Sequence, residues 1–151
     1  MKRTALSIII FLLGMTMIAH AGDNDQVAIK KLILTAYVDG LQNKGDLEVT
    51  RNGFYPGFDL LILKNEGIVE KLPIYNWIAL AEMKKAKEPA RPEGDDITIC
   101  DFEFIDITGD AAVAKIHLSK NGKRIFTDYL SLYRFPDGWK IVSKIYQRIQ
   151  E

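Results

Sequence analysis

The sequence predicts an α+β domain in which helices pack on an antiparallel sheet. Three observations carry that expectation. Helical periodicity dominates the chain from Asp23 to Lys87, interrupted by one short hairpin. From Ile97 onward the chain reads as strands separated by Gly-bearing turns. The last 27 residues, Arg124 to Gln150, form two long strand-like runs around Pro136-Asp137-Gly138. Helices gathered first and a meander gathered last make an α+β pattern rather than an alternating α/β one.

Met1 to Ala21 reads as a secretory signal peptide. Lys2 and Arg3 precede a nearly unbroken apolar run from Ala5 to Ala19, and Ala19-His20-Ala21 places small residues at a cleavage point. A retained membrane anchor is the rival reading, but spanning a bilayer takes about 20 apolar residues and this run is shorter. No cysteine near the cut offers a lipid attachment site. The expected mature protein is therefore residues 22–151, one domain, periplasmic or secreted, with no stable membrane insertion after cleavage.

Removing 21 of 151 residues leaves 130, enough to bury about two-thirds of the unfolded surface in one core. The removed segment takes two of the 20 basic residues and no acidic ones, so 18 positive charges face 20 negative and the net is −2. That balance argues against nucleic acid as a partner. Cys100 is the single cysteine, so no internal disulfide can form and stability must come from the core. With a strand-like run around it, Cys100 is expected to be a buried, inert thiol.

Asp23 to Leu41 is expected as the first helix. Ile29, Ile33, Ala36, Tyr37 and Gly40 share one stripe, Asp23 or Asn24 can cap its start, and Asn43-Lys44-Gly45 ends it. Asp46 caps a short second segment to about Arg51, followed by a turn at Asn52-Gly53 and an irregular aromatic connection over Phe54 to Phe58. Asp59 to Leu72 reads as a small hairpin turning at Asn65-Glu66-Gly67. Pro73 to Lys87 is the next helix, with Trp77, Ile78 and Ala81 on its apolar side and a solvated Lys84, Lys85, Lys87 end. Glu88 to Asp96 is a loop. Strands Ile97 to Ile107 and Ala111 to Ser119 then turn through Asn121-Gly122 into the terminal hairpin, completing a four-stranded meander.

A three-residue Pro-Asp-Gly loop with a glycine bulge sets the expected register of that hairpin. It pairs Phe135 with Trp139, Tyr133 with Ile141, Ser131 with Ser143 and Tyr129 with Ile145. On the other face it pairs Leu132 with Val142, Leu130 with Lys144 and Asp128 with Tyr146. Both faces carry large apolar groups, so both are expected to be covered. Two helices can cover one face, and a homodimer through the meander would cover the other.

Several stretches carry a family likeness: Tyr37-x-Asp39-Gly40-Leu41 with Gly45-Asp46, Gly109-Asp110-x-Ala112-Val113-Ala114-Lys115, Thr127-Asp128-Tyr129-Leu130-Ser131-Leu132, and Asp137-Gly138-Trp139-Lys140-Ile141-Val142-x-Lys144. In these and in element order the chain resembles the putative lumazine-binding family of the nuclear transport factor 2-like (NTF2-like) superfamily. The resemblance implies a cone-shaped NTF2-like fold, with helices packed on a strongly curved antiparallel sheet around a cavity, and it also suggests sheet-to-sheet pairing between two copies. It supplies no aligned catalytic aspartate.

The sequence holds no nucleophile elbow, phosphate loop, dinucleotide glycine pattern or paired-cysteine metal motif. His117 is the single histidine after cleavage, which excludes a multi-histidine metal site, and its expected state is surface-exposed or hydrogen-bonded. No catalytic residue, metal or cofactor is assigned. Four side chains are the candidates for contact with a small apolar or aromatic ligand: Tyr37, Trp77, Asp128 and Tyr146. Each also has a structural reading, with Tyr37 as core, Trp77 as packing, and Asp128 as a sheet residue held by Lys144 and Tyr146. Asp39 is expected to bond near the end of the first helix. The expected function is a binding or accessory module. The alternatives are a metal-independent isomerase, dehydratase or cyclase using one carboxylate, and a structural dimerisation module.

Overall fold

The computed structural model describes residues 22–149, so the Met1 to Ala21 segment lies outside the described residues. Helix α1 covers 22–42, with α-helical geometry to residue 32 and π-helical geometry over Ile33–Gln42. Helix α2 is Leu47–Gly53, capped by Asp46, whose carboxylate accepts the Glu48 amide at 2.8 Å. Strand β1 (Phe54–Leu63) and β2 (Val69–Pro73) flank a 3₁₀ turn at Asn65–Gly67. Helix α3 is Ile74–Lys87, with Pro73 at its cap position. The meander is β3 (Ile99–Thr108), β4 (Ala111–Lys120), β5 (Lys123–Phe135) and β6 (Gly138–Arg148).

All six strands join one sheet in the order β2-β1-β6-β5-β4-β3, and the three helices pack on it, giving a curved α+β architecture. Register shifts interrupt β1/β6, β3/β4, β4/β5 and β5/β6. Each adds local twist and bends its strand, which is how a sheet of long strands curls around a core. That core draws Ile29, Ile33 and Tyr37 from α1, Phe54 and Phe58 from β1, Ile78 from α3, and Ile116, Leu118, Leu130, Leu132 and Ile141 from the meander.

The structure corrects four sequence expectations. The sheet is not wholly antiparallel, because β1 lies parallel to β6. Residues 54–58 are not a loose connection but the start of β1, where Phe54 and Phe58 are buried on either side of the irregular step; the Pro-Gly signal marks a bulged strand. The first helix does not keep α geometry to its end, a change that apolar spacing does not reveal.

The fourth correction concerns the terminal hairpin. From Asp128 to Ser131 its register matches expectation, including Asp128 with Tyr146 and Leu130 with Lys144. Nearer the turn it is displaced by one: Phe135 pairs with Gly138, Arg134 with Trp139 and Leu132 with Ile141. A two-residue turn at Pro136-Asp137 replaces the three-residue loop, and a bulge at Val142 restores the register. Trp139 thereby turns inward, where it is buried and donates to Asp25 of α1 at 3.1 Å.

The π-helical segment is locked by α2. Thr50 is fully buried and its hydroxyl donates to the Ala36 carbonyl at 2.8 Å, and Gly40 leaves the space that Thr50 fills. A methyl at position 40 would run into Thr50 Oγ1. We therefore expect Gly40→Ala to lower stability by about 1–3 kcal/mol through overpacking, read as a reduced urea midpoint. An unchanged midpoint would show that α2 can shift away freely.

Candidate functional site

A buried lysine organises the concave side of the sheet. Lys144 alternates with Ser143 and Ile145 on β6, and strand periodicity turns it inward toward α1. Its exposure is 4%, and those of Asp128 and Tyr37 are 0%. Lys144 Nζ donates to Asp128 Oδ2 at 2.9 Å and to the Tyr37 hydroxyl, and that hydroxyl donates to Asp128 Oδ2 at 2.6 Å. Gln42 Nε2 also donates to the Tyr37 oxygen at 3.4 Å. Three elements, α1, β5 and β6, thus meet at one polar point.

Around it stands an aromatic cage. Lys144 Nζ lies 4.5 Å from the ring centre of Tyr37, 5.1 Å from that of Tyr146 and 5.4 Å from that of Trp77. These distances allow cation–π attraction, which strengthens as water is removed. Trp77 packs on Tyr37, Phe54 and Phe58 with ring centres 5.8, 6.4 and 6.2 Å apart, and Phe126 packs on Tyr146 at 5.5 Å. Trp77 and Tyr146 are half-buried, so the cage reaches solvent through them.

The four sequence candidates Tyr37, Trp77, Asp128 and Tyr146 therefore converge, with Lys144 at their centre. Lys144 itself was visible as a cationic residue within an apolar strand and as the diagonal neighbour of Asp128. Asp128 is held by Lys144, as the structural reading expects, but its second partner is Tyr37 rather than Tyr146, which faces it across the ladder and contributes its ring face to Lys144. The second carboxylate oxygen, Asp128 Oδ1, is buried and accepts no hydrogen bond among the described residues.

Burial dominates the electrostatics. It pushes the Tyr37 phenol well above its usual value of 10.0, with the adjacent Asp128 charge raising it further. Burial also lowers the Lys144 ammonium from its usual 10.5, while Asp128 works in the opposite direction. Cys100 is half-buried and its thiol is pushed up to about 12, first by desolvation and then by the charges of Asp101 and Asp128, which makes it a poor nucleophile.

The remaining sequence candidates lie apart from this point. His117 is buried on the other face of the sheet, its Nδ1 3.0 Å from Thr127 Oγ1 and its Nε2 2.7 Å from Glu103 Oε2. It is thus the hydrogen-bonded histidine of the two expectations. A bulge at Glu103 in β3 lets that carboxylate reach both His117 and Lys115. Asp39 does bond near the end of α1, but its partner is Arg91 of the loop between α3 and β3 rather than a helix. Among the lysines ending α3, Lys85 departs from the solvated expectation by donating to the Gly45 carbonyl at 2.9 Å. No cluster of three or more metal-ligating side chains occurs among the described residues.

Comparisons with known proteins follow the same outline. A family described as putative lumazine-binding matches residues 24–147. No curated protein matches. Among solved structures, an NTF2-like protein of unknown function from Shewanella baltica OS155 is 23% identical with a TM-score of 0.66, covering 85% of this chain and 96% of its own. A second, from Silicibacter pomeroyi DSS-3, is 22% identical with a TM-score of 0.66, covering 85% and 98%. A putative aromatic ring hydroxylase from Novosphingobium aromaticivorans is similar at 15% identity and a TM-score of 0.56, covering 85% and 91%. At these identities the likeness is one of fold.

Removing one member of a buried ion pair strands the other, whereas replacing both with apolar groups is close to neutral. Asp128→Leu and Lys144→Met alone should each cost about 3–5 kcal/mol, and the double variant less than either single one. Urea unfolding of the four proteins measures this, and additive losses would show that the two residues do not act as a pair.

The Tyr37 shift sets an alkaline limit. Unfolded tyrosine ionises near 10 while folded Tyr37 stays protonated, so the stability it contributes is present below about pH 10 and is lost above it. Comparing urea midpoints at neutral and strongly alkaline pH, Tyr37→Phe should show a smaller alkaline loss than the wild type. An equal loss would place its origin elsewhere.

Proposed function

The chain belongs to the putative lumazine-binding family, and on that premise we propose that it is an exported NTF2-like binding protein whose cone holds a small aromatic molecule beside Lys144. The observation that carries this reading is Asp128 Oδ1. A buried carboxylate oxygen without a hydrogen-bond donor costs stability, and a ligand N–H or O–H would satisfy it. The rings of Tyr37, Trp77 and Tyr146 supply apolar surface for a flat molecule, while the Lys144–Asp128 pair fixes its polar edge.

The paired charge favours binding over reaction by a lone carboxylate. A general base in an apolar cavity works because its charge is left unmatched, whereas Asp128 already faces an ammonium and a phenol. Export through Met1 to Ala21 belongs to the same proposal, and intact-mass analysis of the exported fraction should find a chain starting at Gly22.

A homodimer completes the reading. The outer face of the meander exposes Phe104, Val113, Tyr129, Tyr133 and Ile145, apolar groups spread over β3 to β6 with Lys115, Ser131 and Ser143 among them. Sedimentation velocity at micromolar concentration should give twice the mature mass, and a monomer would refute the pairing.

Ligand binding is testable through Trp77, one of two tryptophans. Titration with small heteroaromatic compounds should quench the Trp77 fluorescence and leave a Trp77→Phe variant, which retains Trp139, unaffected. A folded protein whose emission responds to no compound in the panel would overturn the binding reading.

A further inference from the structure

Lysine, rather than arginine, is the counter-ion at the centre of the cage. Arginine would match a carboxylate with two parallel hydrogen bonds and stay charged, whereas lysine brings a primary amine that can lose its proton. The geometry points to Lys144 as the attachment site of a small aromatic carbonyl compound, an aldehyde or unhindered ketone, held as an imine on Nζ. This rests on the binding reading above and names the ligand class for the same site.

Four features support it. Nζ lies among the rings of Tyr37, Trp77 and Tyr146, which would enclose an aromatic substituent. Its proton has a receiver 2.9 Å away in Asp128 Oδ2, and the second oxygen, Oδ1, accepts no hydrogen bond among the described residues. Burial lowers the ammonium's proton affinity, and the neighbouring carboxylate only partly opposes this, so more of the amine is free than at an exposed lysine. Finally, a protonated imine carries the same single positive charge as the ammonium, so Asp128 keeps its counter-ion in the adduct.

The chemistry closes without a further reagent. Nζ passes one proton to Asp128 and attacks the carbonyl carbon; the C–N bond forms as the carbonyl π pair moves to oxygen. A second Nζ proton shifts to that oxygen, giving the neutral carbinolamine. Asp128 then returns its proton to the hydroxyl, the C–O bond breaks, and water leaves. The nitrogen lone pair completes the protonated C=N bond. The Tyr37 hydroxyl, bonded to both Nζ and Asp128, holds the two groups in line.

Reductive trapping tests this on the whole protein. With benzaldehyde and cyanoborohydride at neutral pH, peptide mapping should find a benzyl group on Lys144 at a higher rate than on exposed lysines such as Lys84. Labelling of Lys144 no faster than Lys84 would overturn the proposal. Lys144→Arg keeps the charge and should abolish this label; if it does not fold, the wild-type peptide map decides alone. Benzyl alcohol, which has the ring without the carbonyl, separates the two readings. Quenching of Trp77 by both compounds without preferential trapping sinks the imine and leaves binding intact, and quenching by neither, with no preferential trapping, sinks both.

Discussion

The ion pair between Lys144 and Asp128, closed by the Tyr37 hydroxyl, is the constraint on which the rest of this domain depends. Withdrawing two charges from water costs several kcal/mol each, and mutual attraction offsets that only when the geometry is good. Here the geometry requires β5 and β6 in one register and α1 at one rotation. A slip of one residue in either strand would put a charge on the wrong face of the sheet. The pair therefore selects among ways of packing the same apolar residues, and the bulge at Val142 is how the hairpin meets both this demand and its short turn.

Around that point the two faces of the sheet follow different rules. The concave face gathers aromatic rings about an ammonium. The opposite face carries its own polar knot, in which Glu103 bonds Lys115 and His117, and His117 bonds Thr127. Lys115 holds the Glu103 carboxyl below its ordinary range, with His117 adding to the effect. The exposed apolar groups Phe104, Val113, Tyr129 and Ile145 lie alongside that knot.

Most of the architecture was legible because it is written in local signals. Turn residues, caps and the helix-then-strand order are set by neighbours in sequence, and they place all three helices and all six strands, except that β1 begins at Phe54 rather than at Asp59. The pairing of Asp128 with Tyr146 was legible because it follows directly from the hairpin, whereas the approach of Tyr37 and Trp77 from two helices depends on tertiary packing. Other features depend on contacts distant in sequence and leave no local mark. The π geometry of Ile33–Gln42 is stabilised by Thr50 from another helix. The parallel pairing of β1 with β6 brings together segments more than 80 residues apart. Lys144 was read as a neighbour of Asp128 rather than as the centre of the cluster, because an alternating strand does not reveal which of its charges the far helix will cover.

The parallel β1–β6 ladder also bears on how the domain is assembled in time. The meander and the β1–β2 hairpin can each zip from a tight turn, but they join only through β6, the last of the six strands in chain order. Pairing over such a separation carries a large loop-closure entropy before any contact rewards it, so it is intrinsically slow. Until β6 arrives, β1 has no partner on one edge and the Phe54 and Phe58 side of the core has no floor. The sheet thus stays open until its sixth strand is made, and in that interval the bare edge of β1 is a template on which a strand from another chain could pair.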